Sequence, residues 1–241
     1  MNLPGWRNVP IIGYLKKELG IPAFFDNDAN ASVLAEWIFG DIGEMSNVLY
    51  VAISTGIGGG IIANSNLVRG ENCYAGEFGH VCLDPNGPVC NCGMRGCWEA
   101  FCGGGAVEKR LRSQLKGNPS SRICQIAGSP EQIRMKDLAD AVREKDAFAC
   151  QVWDDMMERH AQAVGSLINS FNPHAIVLGT IALRCQDIFM PALLERIPKY
   201  SWKQPREICS VFPTKIGEKL EQLAGAAVAF YGIRNMIAQP L

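Results

Sequence analysis

The chain has 241 residues, of which 48% are hydrophobic and 20% charged, and its net charge is −1. This balance is typical of a globular protein and predicts no basic face, so composition gives no support for nucleic-acid binding through this chain. No apolar run approaches the roughly 20 residues that span a bilayer, and the N-terminus has no apolar signal core. We therefore expect a cytoplasmic protein with no membrane partner, whose ten cysteines are mostly reduced.

The first half of the chain predicts two helices and a group of strands. Helices are expected over 11–19 and 29–39, and Asn27 or Asp28 can cap the second. Short strands are expected at 23–25, 48–54, 61–63 and from 67 onward, with a glycine-rich turn at 55–60. The segment 70–97 has the composition of a loop.

The second half is mostly helical. Helices are predicted over 98–115, 135–143, 146–171, 188–197 and 217–237, with strands at 175–178 and 208–212 and a polar linker at 116–121. The histidine in the longest helix, His160, is expected on its polar side with a structural role. Strand hairpins followed by helix–strand alternation predict an α/β fold.

The most informative segment lies in the predicted loop. Cys90, Cys92 and Cys97 form a C-x-C-x4-C pattern, and His80 lies ten residues upstream, with glycine and proline in the gaps. Such a segment cannot bury a hydrophobic face, so something else must hold it. Zn²⁺ takes four thiolate or imidazole ligands tetrahedrally, and a closed Cys3His site is usually structural. The residues alone leave two alternatives, which are ordinary reduced cysteines and a disulfide.

Gly79-His80 and the run C-N-C-G-M-R-G-C-W-E over 90–99 resemble the zinc motif of the ROK family of sugar kinases and sugar-responsive repressors. Other segments agree in order and spacing, so the resemblance covers nearly the whole chain. It implies an actin-like, ribonuclease H-like ATPase fold with two lobes and a cleft. Residues 1–45 would form an incomplete small lobe, with the closing helix 217–241 near it, and residues 46–216 a large lobe holding the zinc loop 80–97.

The resemblance also implies a sugar site. The segment 26–31 resembles the N-D-A-N-A segment of ROK kinases, which makes Asp28 the base that takes the proton from the sugar hydroxyl and Asn27 a sugar ligand. A helix N-terminus favours such a carboxylate, although the helix alone favours Asp28 as an N-cap, and only the six-residue match favours the base. Glu77, His80 and Glu99 resemble the other sugar-binding residues, and His80 would bind zinc through its second ring nitrogen.

Two further segments resemble nucleotide-binding turns. Thr55, Gly56, Gly58 and Gly59 belong to a T-G-x-G-x-G run like the second phosphate loop of ROK kinases, where backbone N–H groups can approach phosphate oxygens. The strand and turn ending at Gly179 resemble the segment that meets adenosine, with Thr180 where the family usually has a second glycine.

ROK kinases begin with a strand and a D-x-G-G-T phosphate loop, and the 241 residues contain no such motif. The N-L-P-G-W segment stands at residues 2–6, so we expect the chain to begin about a third of the way into the fold and to have reduced activity. The leading hypothesis is ATP-dependent phosphorylation of a glucose-like or N-acetylated hexose, with Mg²⁺ and structural Zn²⁺, by a homo-oligomer (dimer or tetramer). The alternative is the sugar-sensing domain of a ROK repressor, which transfers nothing.

Overall fold

Eleven α-helices and five strands are present in the part of the chain that the structure, a computed structural model, describes: residues 9–118 and 120–238. The N-L-P-G-W segment lies outside this part. The strands are β1 (Val48–Ile53), β2 (Ile57–Ala63), β3 (Asn66–Leu67), β4 (Ala175–Thr180) and β5 (Ser210–Pro213). The helices are α1 (Ile11–Leu19), α2 (Asp28–Phe39), α3 (Trp98–Cys102), α4 (Gly104–Leu115), α5 (Arg122–Ala127), α6 (Met135–Arg143), α7 (Ala147–Phe171), α8 (Ile181–Arg184), α9 (Gln186–Arg196), α10 (Lys203–Ile208) and α11 (Leu220–Ala238).

The described strands form one mixed sheet in the order β3-β2-β1-β4-β5. β1 is antiparallel to β2 and parallel to β4, and β4 is parallel to β5. In this register Ile53, at the end of β1, lies opposite Thr180, at the end of β4. The turns that follow these two strands therefore leave the same edge of the sheet, where α/β proteins commonly bind ligands.

The sheet is buried on both faces, as is typical when helices cover it on each side. Leu49, Val51 and Ile53 belong to the larger core, which is shared with α3, α4, α6 and α7. The alternating residues Val48 and Tyr50 belong to a smaller core, shared with α2 and α11. Helix α2 packs against β1, β2 and α11, which fixes its position relative to the sheet.

Most predicted elements are confirmed, including α1 and the long helix α7, which Asp146 caps. The strand predicted at 23–25 is wrong: no described strand pairs with this segment, and Phe24 instead packs on α11 at Gly232, where a β-carbon would lie 2.2 Å from its ring. The helix predicted over 98–115 is two helices, because extended Gly103 ends α3 and begins α4. The glycine-rich turn predicted at 55–60 is shorter than expected, because residues 57–60 pair with β1 and belong to β2. Helices α5, α8 and α10 were not predicted. Among the described residues, no helix has both the length and the apolar content needed to cross a bilayer.

Candidate functional site

Four side chains meet in the loop between β3 and α3. His80, Cys90, Cys92 and Cys97 each offer one ligand atom, and these atoms all lie within 4.8 Å of one another. The Cys90 sulfur is 3.7 Å from Nδ1 of His80, and the Cys92 sulfur is 3.7 Å from the Cys97 sulfur. The loop therefore forms a possible Cys3His metal site.

The geometry and the chemistry of this cluster fit Zn²⁺. A tetrahedral ion with Zn–S and Zn–N bonds of about 2.3 and 2.0 Å separates two sulfurs by about 3.8 Å and a sulfur from a nitrogen by about 3.5 Å, which is close to both 3.7 Å pairs. Burial raises the pKa of the Cys97 thiol to about 12, whereas the backbone N–H of Met94 lowers the pKa of the exposed Cys92 thiol. A divalent cation would offset the cost of a buried thiolate, so zinc suits this donor set.

The backbone of the loop is shaped to bring these ligands together. Cys90 donates its N–H to the Met94 carbonyl at 2.7 Å, and Gly93 donates to the Cys90 carbonyl at 2.9 Å, which closes a tight turn. Gly93 has φ of +92°, which a residue with a side chain rarely adopts. At Gly96 a β-carbon would lie 1.7 Å from the carbonyl oxygen of Asp84, so only glycine fits. The glycines thus explain how a short segment holds three thiols in one place.

Glu99 and the segment before the metal loop both contact the glycine-rich turn that follows β1. Oε2 of Glu99 accepts a hydrogen bond from the backbone N–H of Ile57 at 2.9 Å, and a β-carbon on Gly56 would lie 2.5 Å from the same oxygen. Gly79 packs so closely that a β-carbon there would be 2.1 Å from the Ile57 carbonyl oxygen. Because Oε1 of Glu99 is 3.9 Å from the Cys90 sulfur, this carboxylate bridges the turn and the metal cluster.

The imidazole of His80 presents its two nitrogens to different neighbours. Nδ1 faces the sulfur of Cys90, and Nε2 lies 3.9 Å from Oε2 of Glu77. The second distance exceeds a hydrogen bond, so a polar atom beside the two groups can contact both. A metal on Nδ1 would keep the proton on Nε2 and fix which nitrogen is the donor.

Asn27 and Asp28 lie at the N-terminus of α2. Asn27 is the N-cap: its Oδ1 accepts the N–H of Ala29 at 2.8 Å and that of Asn30 at 3.4 Å. Asp28 is the first helical residue, is exposed, and accepts the N–H of Ala29 at 2.8 Å. The interpretation of Asp28 as the helix cap is therefore wrong, and its carboxylate stands at the surface beside the cap.

Glycines of β2 allow α2 to approach the sheet closely. A β-carbon on Gly60 would lie 2.5 Å from the carbonyl oxygen of Ala29 and 2.7 Å from Cγ1 of Val33. A β-carbon on Gly58 would lie 3.8 Å from Cβ of Ala29, which is ordinary contact. The first turn of α2, which carries Asp28, is thereby held against the strand that begins at the glycine-rich turn.

Asp26, for which no sequence pattern predicts a role, fixes the approach to α2. Its Oδ1 accepts the N–H of Asn27 at 2.9 Å and Nδ2 of Asn30 at 2.7 Å. Its Oδ2 accepts Nε and Nη2 of Arg69 at 2.8 and 2.7 Å, and its side chain is only 4% exposed. No local pattern connects Asp26 with a partner 43 positions away, so sequence reasoning has no signal for this ion pair.

The turn after β4 lies beside the glycine-rich turn. Gly179 is paired with Ala52 in the sheet, and a β-carbon there would lie 2.0 Å from the hydroxyl of Tyr50. Thr180 has φ of +52°, in the region that favours glycine. The backbone at this turn therefore has the form that two glycines would adopt, although its second residue is threonine.

Trp98, between Cys97 and Glu99, is anchored on α7. Its indole Nε1 donates to Nδ1 of His160 at 3.1 Å, and both side chains are buried. The prediction that His160 lies on the polar side of its helix is wrong, because the residue is 1% exposed and burial lowers its pKa to about 3. A neutral imidazole thus supports Trp98 and, through the chain, its two neighbours in the site.

Comparison with known proteins now gives the context of this geometry. The model of the ROK family matches residues 1–231. A glucokinase of Thermotoga maritima is 39% identical over 83% of this chain and 63% of its own length. A xylose repressor of Bacillus spizizenii is 26% identical over 92% of this chain and 54% of its own. The crystal structure of a ROK family glucokinase from Streptomyces griseus, in complex with glucose and AMPPNP, matches with a TM-score of 0.78 at 26% identity, over 94% of this chain and 73% of that one.

The chain thus spans 63% and 54% of the length of these two curated relatives. Its mixed α/β architecture is that of the ROK sugar kinases, so the actin-like ATPase fold predicted from the motifs is confirmed. The match over residues 1–231 and the identity to the Thermotoga glucokinase together show that the chain belongs to the ROK family.

Proposed function

We propose that this protein transfers the γ-phosphoryl group of ATP to a hydroxyl group of a hexose. The observation that carries the proposal is the convergence of three elements on the glycine-rich start of β2. The first turn of α2 packs on β2, Glu99 binds the N–H of Ile57, and the segment ending at His80 packs on the same residue. A base, a set of hydroxyl-binding groups and a backbone suited to phosphate thus share one edge of the sheet.

Asp28 is the base in this proposal. Its carboxylate accepts the proton of the attacking sugar hydroxyl while the hydroxyl oxygen bonds to the γ-phosphorus, and the bond to the bridging oxygen breaks to release ADP. The exposed position of Asp28 at the start of α2 supports this role, because among the described residues its carboxylate accepts only the N–H of Ala29 and forms no ion pair. The network of Asp26 and Arg69 would keep the first turn of the helix from shifting.

The sugar would be held by Asn27, Glu77, His80 and Glu99. One hydroxyl can contact both Nε2 of His80 and Oε2 of Glu77, since these atoms are 3.9 Å apart. Zinc held by His80 and the three cysteines would be structural and would orient the imidazole without entering the reaction. Asn27 contributes its amide NH2, because its oxygen is used by the helix cap.

The nucleotide would lie along the edge where β1 and β4 end. The N–H groups of Thr55 and Gly56 in the turn, and of Gly58 and Gly59 at the start of β2, would meet the phosphates, and the end of β4 at Gly179 would meet the adenosine. Adjacent sheet positions support this arrangement, because Ile53 and Thr180 are paired. Mg²⁺ bound with the nucleotide would neutralise phosphate charge.

The second candidate function is sugar sensing without transfer, which the similarity to xylose repressors favours. A sensor needs the sugar-binding groups but no nucleotide, so ATP binding distinguishes the two. We also expect self-association, as a dimer or tetramer, in either case.

The test separates binding from transfer. Hexose affinity and ATP-dependent phosphorylation are measured for the 241-residue chain and for the longest reading frame that contains it, because the chain spans 63% of the Thermotoga glucokinase. Asp28→Asn should lower kcat at least about 10²-fold while leaving hexose affinity almost unchanged. Near-normal turnover in this variant would remove Asp28 from its role. Hexose binding without transfer by any wild-type form would favour the sensor.

A further inference from the structure

A cleft of about 420 Å³ lies between α4 and the metal loop, and part of its lining has no role in the proposed reaction. Thr55 and Glu99 form one end of the cleft, and residues 88–91 of the metal loop form one side. The opposite side is α4, which contributes Lys109, Arg110 and, one turn later, Ser113 and Gln114. A volume of this size accommodates a small polar metabolite.

Within residues 9–118 and 120–238, the cations on the face of α4 that lines the cleft are not paired with carboxylates, whereas the arginine on the neighbouring face is. Arg112 is paired with Glu108 at 2.9 Å, four positions earlier, which is the usual arrangement on a helix surface. Lys109 and Arg110 instead have the neutral Ser113 and Gln114 at the position four residues on. In the part of the chain that the structure describes, neither cation has a carboxylate within 4.0 Å. Two adjacent cations therefore face the cleft with uncompensated charge.

Arg110 is also held in place. Both of its terminal nitrogens donate to the carbonyl oxygen of Phe101, at 3.3 and 3.4 Å, which orders the guanidinium without neutralising it. The one carboxylate of the cleft lining, that of Glu99, is already bound to the N–H of Ile57. The free donors of the cleft are thus a guanidinium, an ammonium, a hydroxyl and an amide, a set that suits a phosphate group.

A larger depression next to this cleft lacks such a surplus. It shares Pro88, Arg110 and Gln114 with the cleft and has a volume of about 710 Å³. Its other charged residues are Arg159, which lies 3.4 Å from Asp84, and the carboxylates Asp155 and Glu158, of which Glu158 binds Lys199 at 3.1 Å. Of the two, only the smaller cleft is therefore lined by both Lys109 and Arg110 and has more cations than carboxylates.

We propose that the cleft between α4 and the metal loop binds the phosphate group of a small phosphorylated compound, through Lys109 and Arg110. Phosphate would lie against α4, and the rest of the ligand would extend toward Thr55 and Glu99. The inference does not depend on phosphoryl transfer, because the cationic pair and the cleft are present whether or not the chain is a kinase. Two sources share this chemistry, a sugar phosphate and a nucleotide.

The experiment is a binding titration with no ATP and no turnover. Inorganic phosphate, a hexose 6-phosphate and ADP are each titrated into the zinc-loaded wild-type protein, Lys109→Gln, Arg110→Gln and the control Lys116→Gln. Lys116 is an exposed lysine at the end of α4 that does not line the cleft. We expect each cleft variant to weaken binding of the phosphorylated probe at least about 5-fold and the control to bind normally.

The three probes identify the source. Tight binding of the hexose 6-phosphate with weak binding of ADP assigns the cleft to a sugar phosphate, and the reverse assigns it to a nucleotide. Because Lys109 is exposed, its replacement leaves the fold intact, and an unchanged melting temperature verifies this. Binding that is equal in Lys109→Gln, Arg110→Gln and Lys116→Gln, or no binding of any probe, would overturn the proposal.

Discussion

The close contact between α2 and β2 leads to a quantitative prediction for Gly60→Ala. The added β-carbon would lie 2.5 Å from the carbonyl oxygen of Ala29 and 2.7 Å from Cγ1 of Val33. Ordinary contact begins at about 3.4 Å, so strand and helix must separate by about 1 Å. Such overpacking costs about 1–3 kcal/mol, and removal of a flexible glycine offsets about 0.5–1 kcal/mol of it.

The net loss of unfolding free energy should be about 1–2 kcal/mol, which in a chain of 241 residues lowers Tm by about 2–8 °C. The same shift moves Asp28 relative to the glycine-rich turn, and a displacement of about 1 Å can cost about 10²-fold in rate. Thermal unfolding followed by circular dichroism measures the change in Tm, and an assay of phosphoryl transfer measures the loss of rate.

Gly58→Ala is the matched control, because it adds the same methyl group on the same strand. Its β-carbon would meet only Cβ of Ala29, at 3.8 Å, so Tm should stay constant or rise slightly. If Gly60→Ala and Gly58→Ala unfold at the same temperature, then α2 does not sit as tightly on β2 as described. Our account of how Asp28 is positioned would then be wrong.

Two further predictions concern the metal loop and its support. Cys92→Ser should lose both bound zinc and hexose affinity, as measured by metal analysis and calorimetry. The control Cys73→Ser, outside the cluster, should lose neither, and full hexose affinity in zinc-free protein would contradict the prediction. His160 should lower the free energy of unfolding as the pH falls. Its pKa is about 3 in the folded chain and about 6.5 in the unfolded chain. Below pH 6.5 the unfolded chain therefore binds a proton that the folded chain does not, which favours unfolding. This linkage amounts to about 2 kcal/mol between pH 6.5 and 5, and chemical denaturation of His160→Leu should lack it; equal pH slopes in both proteins would refute the burial argument.

Helices could be predicted from the sequence where residues close to the helix end determine where it starts or stops. Gly20 and Gly40 follow α1 and α2, which end at residues 19 and 39 as expected. The long helix expected over 146–171 begins one residue later, because Asp146 is its N-cap and accepts the N–H of Ala149. The strand predicted at 23–25 failed for a different reason. A strand requires a pairing partner, and apolar residues such as Phe24 can equally pack on a helix, which only the tertiary fold decides.

The same distinction applies to the candidate site. The C-x-C-x4-C spacing and the histidine ten residues upstream predicted a metal site of His80, Cys90, Cys92 and Cys97. In the structure the ligand atoms of these four residues lie within 4.8 Å of one another. The supports of the site were not foreseeable, because Asp26 meets Arg69 and Trp98 meets His160 across 43 and 62 positions. Such contacts depend on how separate elements pack, and a single sequence does not encode a readable signal for them.

A crystal structure of the zinc-loaded protein with a bound hexose tests the central claim most directly. Our account predicts one zinc ion bound by His80 and the three cysteines, and a sugar hydroxyl within hydrogen-bond distance of both Nε2 of His80 and Oε2 of Glu77. A second hydroxyl should lie within about 2.6–3.2 Å of the Asp28 carboxylate. A hexose bound away from these residues, or a sugar site that forms fully without zinc, would contradict it.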